Sequence, residues 1–590
     1  MQCYQPGYPR PQFVRDKDSW KLLDGTWDFA FDDANEGRGG EWFRSFPKGR
    51  KITVPFAFEY PASGIGDKSR RDVVWYQRNA ELAKTQDKRT FLHFEGSDYL
   101  TQVWVNGAFV GEHAGGCSRF SFDITGQAAR GDNRITVRVE DSFDTSQPRG
   151  KQRWEDEDFG CWYLQTTGIW KSVWIEEVPE IRIAGLKMTP VLAKGILEIE
   201  AEIVNPRKNL SFEASISFRG KAAAAVAIPA AKERLRLTAD LNNTALGEWG
   251  IRPWSPEQPD LYDVSFRLIE EGRTVDQVLS YFGMRDIRIQ GTSVLLNGSP
   301  LYQRLILDQG YWKESGLTPP GEQALIDDID RVMAAGYNGV RKHQKIEDER
   351  FLYWADLRGL LVWSEMAATY EFSGRAQENF TREWMEILRQ NYNHPSIITW
   401  TPFNESWGVP GISIAEPQQH FTEAIYYLTK AYDPYRPVVC NDGWEHTVSD
   451  IITLHDYEEA GDDLFGRYRD LDAILKNEVP HSKSRFAFAQ GYGYAGQPVL
   501  ITEFGGISFS NRGEGWGYGN KVNSPEEYVK RFDSITTAIK KLDGVSGFCY
   551  TQLSDVHSEL NGIMDAERRF KVAPEILKEI NTRKVGVIHQ

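Results

Sequence analysis

The sequence predicts a multidomain protein in which two β-sandwiches precede a C-terminal (β/α)8 barrel. Its 590 residues are enough for roughly three or four domains at ~100–200 residues each. Up to about residue 286 the chain consists of short alternating runs separated by turn residues, whereas beyond it strand-like and helix-like segments alternate. We therefore predict domains at residues 1–178, 179–286 and 287–590.

The first region, residues 1–178, is predicted to be a β-sandwich. Asn106-Gly107 directly follows a strand-like run, and this dipeptide is a strong hairpin signal. No helical periodicity of useful length interrupts the region, so a sandwich is the simplest arrangement. The clearest strand-like runs are Thr90–Glu95, Thr101–Val105, Ser118–Ile124 and Arg134–Val139.

The second region, residues 179–286, is predicted to be an immunoglobulin-like β-sandwich. Roughly seven short strands in about 100 residues are typical of that fold. The region contains few potential catalytic groups, so we expect it to act as a scaffold. Its strand-like runs include Ile196–Val204, Phe212–Phe218, Arg234–Leu237 and Tyr262–Ile269.

The third region, residues 287–590, has the strand and helix order of a (β/α)8 barrel. Eight repeats over ~300 residues are the number and size that this barrel requires, and its active site lies at the carboxyl ends of the strands. The strand-like runs are Leu301–Leu307, Tyr337–Arg341, Leu360–Trp363, Ile397–Thr401, Pro437–Cys440, Ile451–His455, Val499–Thr502 and Val545–Tyr550. The amphipathic helical runs are Glu322–Ala335, Asp348–Leu357, Phe380–Arg389, Gln418–Ala431 and Pro525–Leu542.

Composition excludes several classes of function. The net charge of −15 (69 basic against 84 acidic residues) disfavours binding to nucleic acid or to an anionic membrane. No apolar run reaches the ~18 residues of a membrane span, and no secretory signal is visible, so we expect a cytoplasmic protein, although a trimmed signal would leave the same sequence. The five cysteines form no CxxC pair and the ten histidines no ligand spacing, so we expect neither a metal nor another cofactor.

Two carboxylates occupy the positions where a barrel carries its chemistry. Glu405 follows the fourth strand-like run and Glu503 directly follows the seventh, so both side chains can point into one pocket. Paired carboxylates can cleave a glycosidic bond when one is protonated and the other ionised. An apolar, Trp-rich environment raises one pKa, while hydrogen bonds and a nearby Arg lower the other. The alternative is that each Glu is a rim residue bonded to an Arg.

Several motifs occur together over the whole chain, in the same order as in a known family. With them the sequence resembles the family-2 glycoside hydrolases, the group that holds β-galactosidases, β-glucuronidases and β-mannosidases. The motifs are Thr167-Gly168-Ile169-Trp170, the run from Trp254 to Tyr262, Phe282-Gly283-Met284-Arg285, Leu296-Asn297-Gly298, Asn338-Gly339-Val340-Arg341, Asn393-His394-Pro395-Ser396, Asn404-Glu405 and Thr502-Glu503-Phe504-Gly505.

The resemblance implies a jelly-roll sugar-binding domain, an immunoglobulin-like domain and a TIM barrel that hydrolyses glycosides or oligosaccharides with retention. It makes Glu405 the acid/base and Glu503 the nucleophile, with their carboxyl groups ~5–5.5 Å apart. Asn404 would bind the 2-hydroxyl of the sugar, and Arg341 would lie beside the nucleophile. His455 and Tyr457 are further expected neighbours of Glu503. A homo-oligomer is left open.

The sequence departs from the family pattern where the sugar would be recognised. The stretches after strand-like runs one, two and eight differ from those typical of the family. Ser558–Gly562 also lacks the Asn-x-Lys clamp of the glucuronidases. Glu559 stands there instead and would repel a uronate. We predict that the sugar is read by residues at these positions and near the carboxylates: Asp308, Gln309, Lys342, His343, Gln344, Trp407, Trp444, Gln552 and Asp555.

The predicted function is removal of a terminal neutral sugar by a β-galactosidase-like enzyme. An α-L-arabinofuranosidase or β-D-galactofuranosidase is the alternative, because the altered loops favour a reshaped pocket, and a β-glucuronidase is disfavoured. The alternative from another class is a non-catalytic carbohydrate-binding protein.

Overall fold

The computed structural model describes residues 4–85, 87–242, 250–509 and 515–586. Two β-rich regions are followed by an α/β barrel, so the predicted fold class is confirmed. Cys3 and part of the glycine-rich stretch after the seventh barrel strand lie outside the described residues. None of the helices in these ranges is long and apolar enough to cross a membrane.

The first region is a sandwich of two antiparallel sheets that share one buried core. Asn106 and Gly107 have φ values of 52° and 79° and form the predicted hairpin turn, because a tight two-residue turn needs the left-handed conformation at both positions. The six-stranded sheet has the order Arg50–Val54, Gly25–Phe31, Val73–Leu82, Gly131–Glu140, Leu100–Val105, Ala108–Ala114. The four-stranded sheet has the order Trp20–Leu22, Val173–Pro179, Lys88–Phe94, Phe120–Asp123, and Ser97–Asp98 pairs separately with Gly168–Ile169.

The second region is also a sandwich, with sheets of three and four antiparallel strands over a common core. Buried and partly exposed residues alternate along its strands, as in Leu210–Phe218, because successive side chains of a strand point to opposite faces. The three-stranded sheet has the order Arg182–Val191, Ile196–Val204, Arg234–Asp240. The four-stranded sheet has the order Lys221–Pro229, Leu210–Phe218, Tyr262–Glu270, Arg273–Phe282. A small sheet of Ile287–Gln290, Ser293–Leu296 and Ser299–Pro300 leads into the barrel.

The barrel contains seven regular parallel strands, and these correspond to seven of the eight predicted runs. Their order is Ile397–Thr401, Leu361–Glu365, Gly339–Lys342, Gln303–Asp308, Val545–Thr551, Val499–Gly505, Ile452–His455. This order places the first strand between the second and the eighth, as in a closed barrel.

The predicted fifth strand, Pro437–Cys440, is wrong as a regular strand. Val438 makes one isolated bridge with Trp400, and the pairing continues through Asn441–Asp442 against Phe403–Asn404. The reason is that side chains take two of the backbone donors of this segment, whereas the Val439 amide still donates to the Trp400 carbonyl. The Val438 amide donates to Asp450 at 2.8 Å and the Cys440 amide to Ser449 at 2.9 Å, and Pro437 has no N–H to donate.

The five predicted helices are present, and three of them begin where a side chain caps the first turn. Asp348, Ser373 and Ser524 each accept a hydrogen bond from a backbone amide in that turn. Their bounds are Glu322–Ala334, Glu349–Arg358, Gly374–Asn391, Glu416–Tyr432 and Pro525–Lys540. The described residues also contain the unpredicted helices Gly461–Tyr468, Leu471–Leu475 and Pro574–Thr582.

The loop of residues 141–167 in the first sandwich, called the sandwich loop below, packs over the mouth of the barrel. The amide of Arg149 donates to the Ala368 carbonyl at 2.9 Å, and the amide of Tyr370 donates to the Thr145 carbonyl at 2.9 Å. Farther along the loop, the Tyr163 hydroxyl donates to Glu559 at 2.6 Å. The site at the carboxyl ends of the strands therefore has one wall that comes from another part of the chain.

Candidate active site

Glu405 and Glu503 lie close together at the carboxyl end of the barrel. Glu503 belongs to the seventh strand, whereas Glu405 directly follows the pair Phe403–Asn404 and has a positive φ of 51°. The amide of Glu405 donates to the Asp442 carbonyl at 2.8 Å, and this hydrogen bond holds the turn at Glu405 against the short strand Asn441–Asp442. One carboxylate oxygen of each Glu and a ring nitrogen of His455 lie within 4.8 Å of one another.

Arg341 lies beneath this pair and is completely buried. Its guanidinium donates to Glu503 Oε1 at 2.9 Å and to Asn404 Oδ1 at 2.6 Å. It also pairs with Glu365 and Asp442, each at 2.6 Å. Burial lowers the pKa of Arg341, but the carboxylates of Asp442, Glu365 and Glu503 outweigh burial and raise it. The structure therefore places Arg341 in direct contact with Glu503.

His455 bridges two carboxylates. Its Nδ1 lies 2.9 Å from Glu405 Oε1 and its Nε2 lies 2.9 Å from Asp442 Oδ2, whereas Glu503 Oε2 is 3.6 Å from Nδ1. Burial lowers the pKa of His455, but Glu503, Asp442 and Glu405 raise it to about 10. Because this pKa is raised, the imidazole is charged at neutral pH and can donate from both nitrogens to the carboxylates beside it.

The same contact sets the pKa of Glu405. Burial raises this pKa, but the hydrogen bond and the charge of His455 outweigh burial and lower it below its ordinary value. Apolar surroundings do raise the pKa of Glu405, as expected of one carboxylate, but in this structure a cation in hydrogen-bond contact opposes their effect.

Tyr457 and Asn404 complete the contacts around the pair. The Tyr457 hydroxyl donates to Glu503 Oε2 at 2.5 Å, as expected for a neighbour of Glu503, and its ring stacks on Tyr518 with centroids 3.4 Å apart. Asn404 uses its oxygen to accept from Arg341, while its Nδ2 has no hydrogen-bond partner among the described residues. One amide donor therefore remains for a ligand beside Glu405.

Trp407 and Trp444, two of the residues predicted to read the sugar, pack against neighbours of the two carboxylates. The Trp407 ring packs edge-on against Trp162 with centroids 5.0 Å apart. The Trp444 ring packs on His455 at 5.6 Å, and the guanidinium of Arg485 lies 4.7 Å from its centre. The indole N–H groups of Trp407 and Trp444 find no acceptor in the described part of the chain, so both can donate to a ligand.

Four of the other predicted sugar-reading residues lie at the junction of the barrel and the first sandwich. His343 Nδ1 is 3.0 Å from Glu365 and 4.0 Å from Glu503. The oxygen of Gln344 accepts from the Tyr370 hydroxyl at 3.2 Å. Gln309 donates to Gln552 at 2.9 Å and to Glu559 at 3.0 Å, so these three side chains form one buried network.

The remaining three, Asp308, Lys342 and Asp555, are tied to protein partners instead. Lys342 pairs with Asp308 at 2.5 Å and with Glu347 at 2.5 Å. Asp555 pairs with Lys571 at 2.6 Å. All three are buried, and their charges are satisfied within the protein. The structure does not bring them into contact with Glu405 or Glu503.

Sequence reasoning missed four residues of this site. Asp442 and Glu365 both bind Arg341, and each stands at the end of a strand-like run, which is a signal that could have identified them. Lys151 and Trp162 belong to the sandwich loop. The buried Lys151 ammonium donates to the Cys161 thiol at 3.2 Å, and its charge lowers the pKa of Glu405. No barrel pattern could reveal either of them.

Comparison with known proteins identifies the family. The model "Glycosyl hydrolases family 2, sugar binding domain" matches residues 20–179, "Glycosyl hydrolases family 2" matches 181–285, and its "TIM barrel domain" matches 287–584. A β-galactosidase of Leuconostoc mesenteroides subsp. mesenteroides is 26% identical over 82% of this chain and 47% of its own length. A β-glucuronidase of Chlorocebus aethiops is 25% identical over 84% of this chain and 79% of its own.

Solved structures show the same fold. The crystal structure of Ruminococcus gnavus β-glucuronidase superimposes with a TM-score of 0.79 over 98% of this chain and 100% of that one, at 19% identity. The chain spans about half or less of the length of six curated relatives, this β-galactosidase among them. The barrel model alone covers more than half of the 590 residues, and the chain therefore belongs to glycosyl hydrolase family 2.

Proposed function

We propose that the protein is a retaining, exo-acting O-glycosidase that removes a terminal sugar. The observation that carries this proposal is the short separation of Glu405 and Glu503, whose oxygens lie within 4.8 Å of each other. Retention needs carboxyl groups only ~5–5.5 Å apart, whereas inversion needs ~6.5–9.5 Å to admit a water between them. The separation thus favours direct attack by one carboxylate.

In the first step, Glu503 attacks the anomeric carbon while the bond to the leaving oxygen breaks. Arg341 and Tyr457 each donate to one oxygen of Glu503, and these two hydrogen bonds orient the carboxylate for attack. Glu405 donates a proton to the leaving oxygen. The products are a glycosyl ester on Glu503 and the free leaving group.

The proton for this step is held by Glu405 and His455 together. With Glu405 ionised and His455 protonated, the pair carries one transferable proton between Nδ1 and Oε1, which lie 2.9 Å apart. Moving that proton to Glu405 produces a carboxylic acid and a neutral imidazole. Substrate that excludes water raises the pKa of Glu405 and favours this transfer.

In the second step, the Glu405 carboxylate accepts a proton from water as the water attacks the anomeric carbon. The ester bond to Glu503 breaks and the sugar leaves with its original anomeric configuration. The free Nδ2 of Asn404 supports this scheme, because a donor there can bind the 2-hydroxyl, an interaction that strengthens in the transition state.

A neutral sugar, as in a β-galactosidase, is the favoured substrate. Glu559 is buried next to Gln309 and Tyr163, and its carboxylate is a third acidic group in the region of Glu405 and Glu503. The carboxylate of a uronate would bring a further negative charge close to these acidic groups and would be repelled. The relatives and structural neighbours include both β-galactosidases and β-glucuronidases.

One observation favours a uronide as the second candidate. The buried ammonium of Lys151 donates only to a thiol sulfur, a weak acceptor, and forms no ion pair with a carboxylate among the described residues. Such a cation could receive the carboxylate of a uronate. Replacing Lys151 with Met would then abolish activity on the uronide. On a neutral glycoside the same variant would change activity only through the pKa of Glu405, which the charge of Lys151 lowers.

The test is release of p-nitrophenol from a panel of neutral pyranosides, furanosides and uronides, with Glu503→Gln as the matched variant. We expect turnover of one glycoside, loss of that turnover in the variant, and a first-formed product with the anomeric configuration of the substrate. An inverted product contradicts retention. Sugar binding by folded protein without turnover would favour a carbohydrate-binding protein.

A further inference from the structure

A cleft of about 440 Å³ lies between the loop of the first sandwich and the barrel. The sandwich contributes Asp158, Phe159, Gly160, Cys161 and Trp162 to its lining, and the barrel contributes Trp516 and Ser558. Three of the seven residues are aromatic, and they come from both parts of the chain: Phe159 and Trp162 from the sandwich loop and Trp516 from the barrel.

The sandwich wall of the cleft is connected to Glu405. The Phe159 ring stacks on Trp162 with centroids 5.2 Å apart and an interplanar angle of 26°. Trp162 in turn packs edge-on against Trp407 at 5.0 Å and 87°. Since Trp407 is two residues after Glu405, this aromatic wall lies on the side of the proton donor.

The barrel wall is connected to Glu503. Trp516 packs edge-on against Tyr518 at 5.7 Å, and Tyr518 stacks on Tyr457 at 3.4 Å. Tyr457 donates to Glu503 at 2.5 Å. Through these contacts each wall is connected to one member of the catalytic pair, so the cleft lies beside that pair.

The charged and reactive groups of the cleft are already occupied. Asp158 pairs with Arg153 at 3.2 Å and with His557 at 2.9 Å. The Cys161 sulfur accepts from Lys151 at 3.2 Å. What remains for a ligand is the aromatic surface of Phe159, Trp162 and Trp516.

We propose that this cleft binds the leaving group of the glycoside, and that the leaving group is a ring with an apolar face. This inference rests on the proposed function. Glu405 must reach the glycosidic oxygen, so the leaving group projects from that oxygen on the Glu405 side, where Trp162 and Phe159 stand. Aryl groups and sugar rings both present a flat apolar face that packs on aromatic side chains.

The experiment compares phenyl and methyl glycosides of the sugar that the wild type hydrolyses, together with a disaccharide of that sugar. Phe159→Ala and Trp516→Ala should lower kcat/KM for the phenyl glycoside about three- to tenfold, the range expected for one aromatic pair. The methyl glycoside should be unaffected. Hydrolysis of the glycosyl-enzyme should keep its rate, because the leaving group has departed by then.

Phe109→Ala is the matched control, because this phenylalanine is 52% exposed on a sandwich hairpin and does not line the cleft. Phe159→Leu keeps an apolar side chain without the ring and replaces the alanine variant if that one unfolds. If kcat/KM falls for both the phenyl glycoside and the disaccharide, the cleft binds rings in general. If kcat/KM falls for the phenyl glycoside alone, the cleft binds aryl groups.

Two other results overturn the assignment. Equal falls on methyl and phenyl glycosides, or no fall on either, in an active enzyme would show that the cleft does not bind the leaving group, while the proposed function would stand. A folded wild type that hydrolyses no glycoside of the panel overturns the proposed function, and this assignment with it.

Discussion

His455 Nδ1 lies 2.9 Å from Glu405 Oε1, so a buried imidazolium touches the residue that we assign as acid/base. On its other side the same ring binds Asp442 at 2.9 Å, which holds the imidazole in place. The pair shares one transferable proton, which His455 holds while Glu405 is ionised. His455 is therefore a positioning residue whose protonation state controls that of Glu405.

Replacing His455 with Asn should shift the alkaline limb of the pH profile of kcat/KM to lower pH. The pKa of His455 is raised to about 10, so the wild-type pair loses its transferable proton only as pH rises towards that value. In the variant, Glu405 must hold the proton without this partner, and a carboxyl group loses it at lower pH. His420→Asn, at an exposed histidine on the helix Glu416–Tyr432, is the control and should leave the profile unchanged.

The same substitution should change the pH dependence of stability. Because the folded-state pKa of His455 is raised from 6.5 to about 10, its contribution is complete below pH 6.5 and is lost as pH rises through about 10. The difference in unfolding free energy between wild type and His455→Asn should therefore be larger at pH 6 than at pH 10. Denaturant titrations at both pH values measure it, and a constant difference would contradict this assignment.

Tyr457→Phe should lower kcat about tenfold to a hundredfold, because the variant removes one hydrogen bond to the charged Glu503. Tyr518→Phe is the matched control. It keeps the stacked ring 3.4 Å from Tyr457 and removes a hydroxyl that does not bond to Glu503. Steady-state kinetics on one aryl glycoside are sufficient, and equal losses in both variants would assign the effect to the stack.

Arg341→Met should destabilise the fold by about 3–5 kcal/mol, because it leaves buried carboxylates without their cation. Three acidic groups, those of Glu365, Asp442 and Glu503, lose this partner together. Arg236→Met is the control, since Arg236 pairs with Glu200 while its side chain is 83% exposed, and such pairs contribute less than about 1 kcal/mol. Chemical denaturation measures the unfolding free energy of both variants. Similar losses of stability in the two would contradict the assignment of Arg341 as the cation that neutralises the buried carboxylates.

Asp308→Asn should lower stability without changing which sugar is preferred. The side chain pairs with Lys342 at 2.5 Å and is buried, so the substitution leaves a buried ammonium with one partner fewer. The measurement is Tm together with the ratio of kcat/KM for two sugars. A change in that ratio would restore Asp308 to the residues that read the sugar.

Much of the fold could be predicted because its signals are local. Alternating residues marked the strands of both sandwiches, and Asn106-Gly107 marked a turn that only a left-handed backbone can form. The fifth barrel strand was mispredicted because Val438 and Cys440 donate to the side chains of Asp450 and Ser449. Such side-chain bonds compete with strand pairing and leave no periodic signal.

The proximity of Glu405 and Glu503 could be predicted because the carboxyl ends of parallel strands meet at one rim. Glu405 lies just after the fourth strand and Glu503 near the carboxyl end of the seventh, and these positions bring the two carboxylates together. Asp308 and Lys342 occupy similar positions, yet they neutralise each other. Position after a strand indicates that a residue is near the rim, but it does not indicate which partner satisfies its charge.

The sequence by itself determined the family, the order of the three regions and the two carboxylates of the proposed mechanism. Only the tertiary structure decided that His455 lowers the pKa of Glu405 and that a sandwich loop supplies Lys151 and Trp162. The physical reason is that strands and turns follow from neighbouring residues. A pKa or the wall of a cleft depends instead on groups far apart in the chain, and only packing of the whole molecule brings these together.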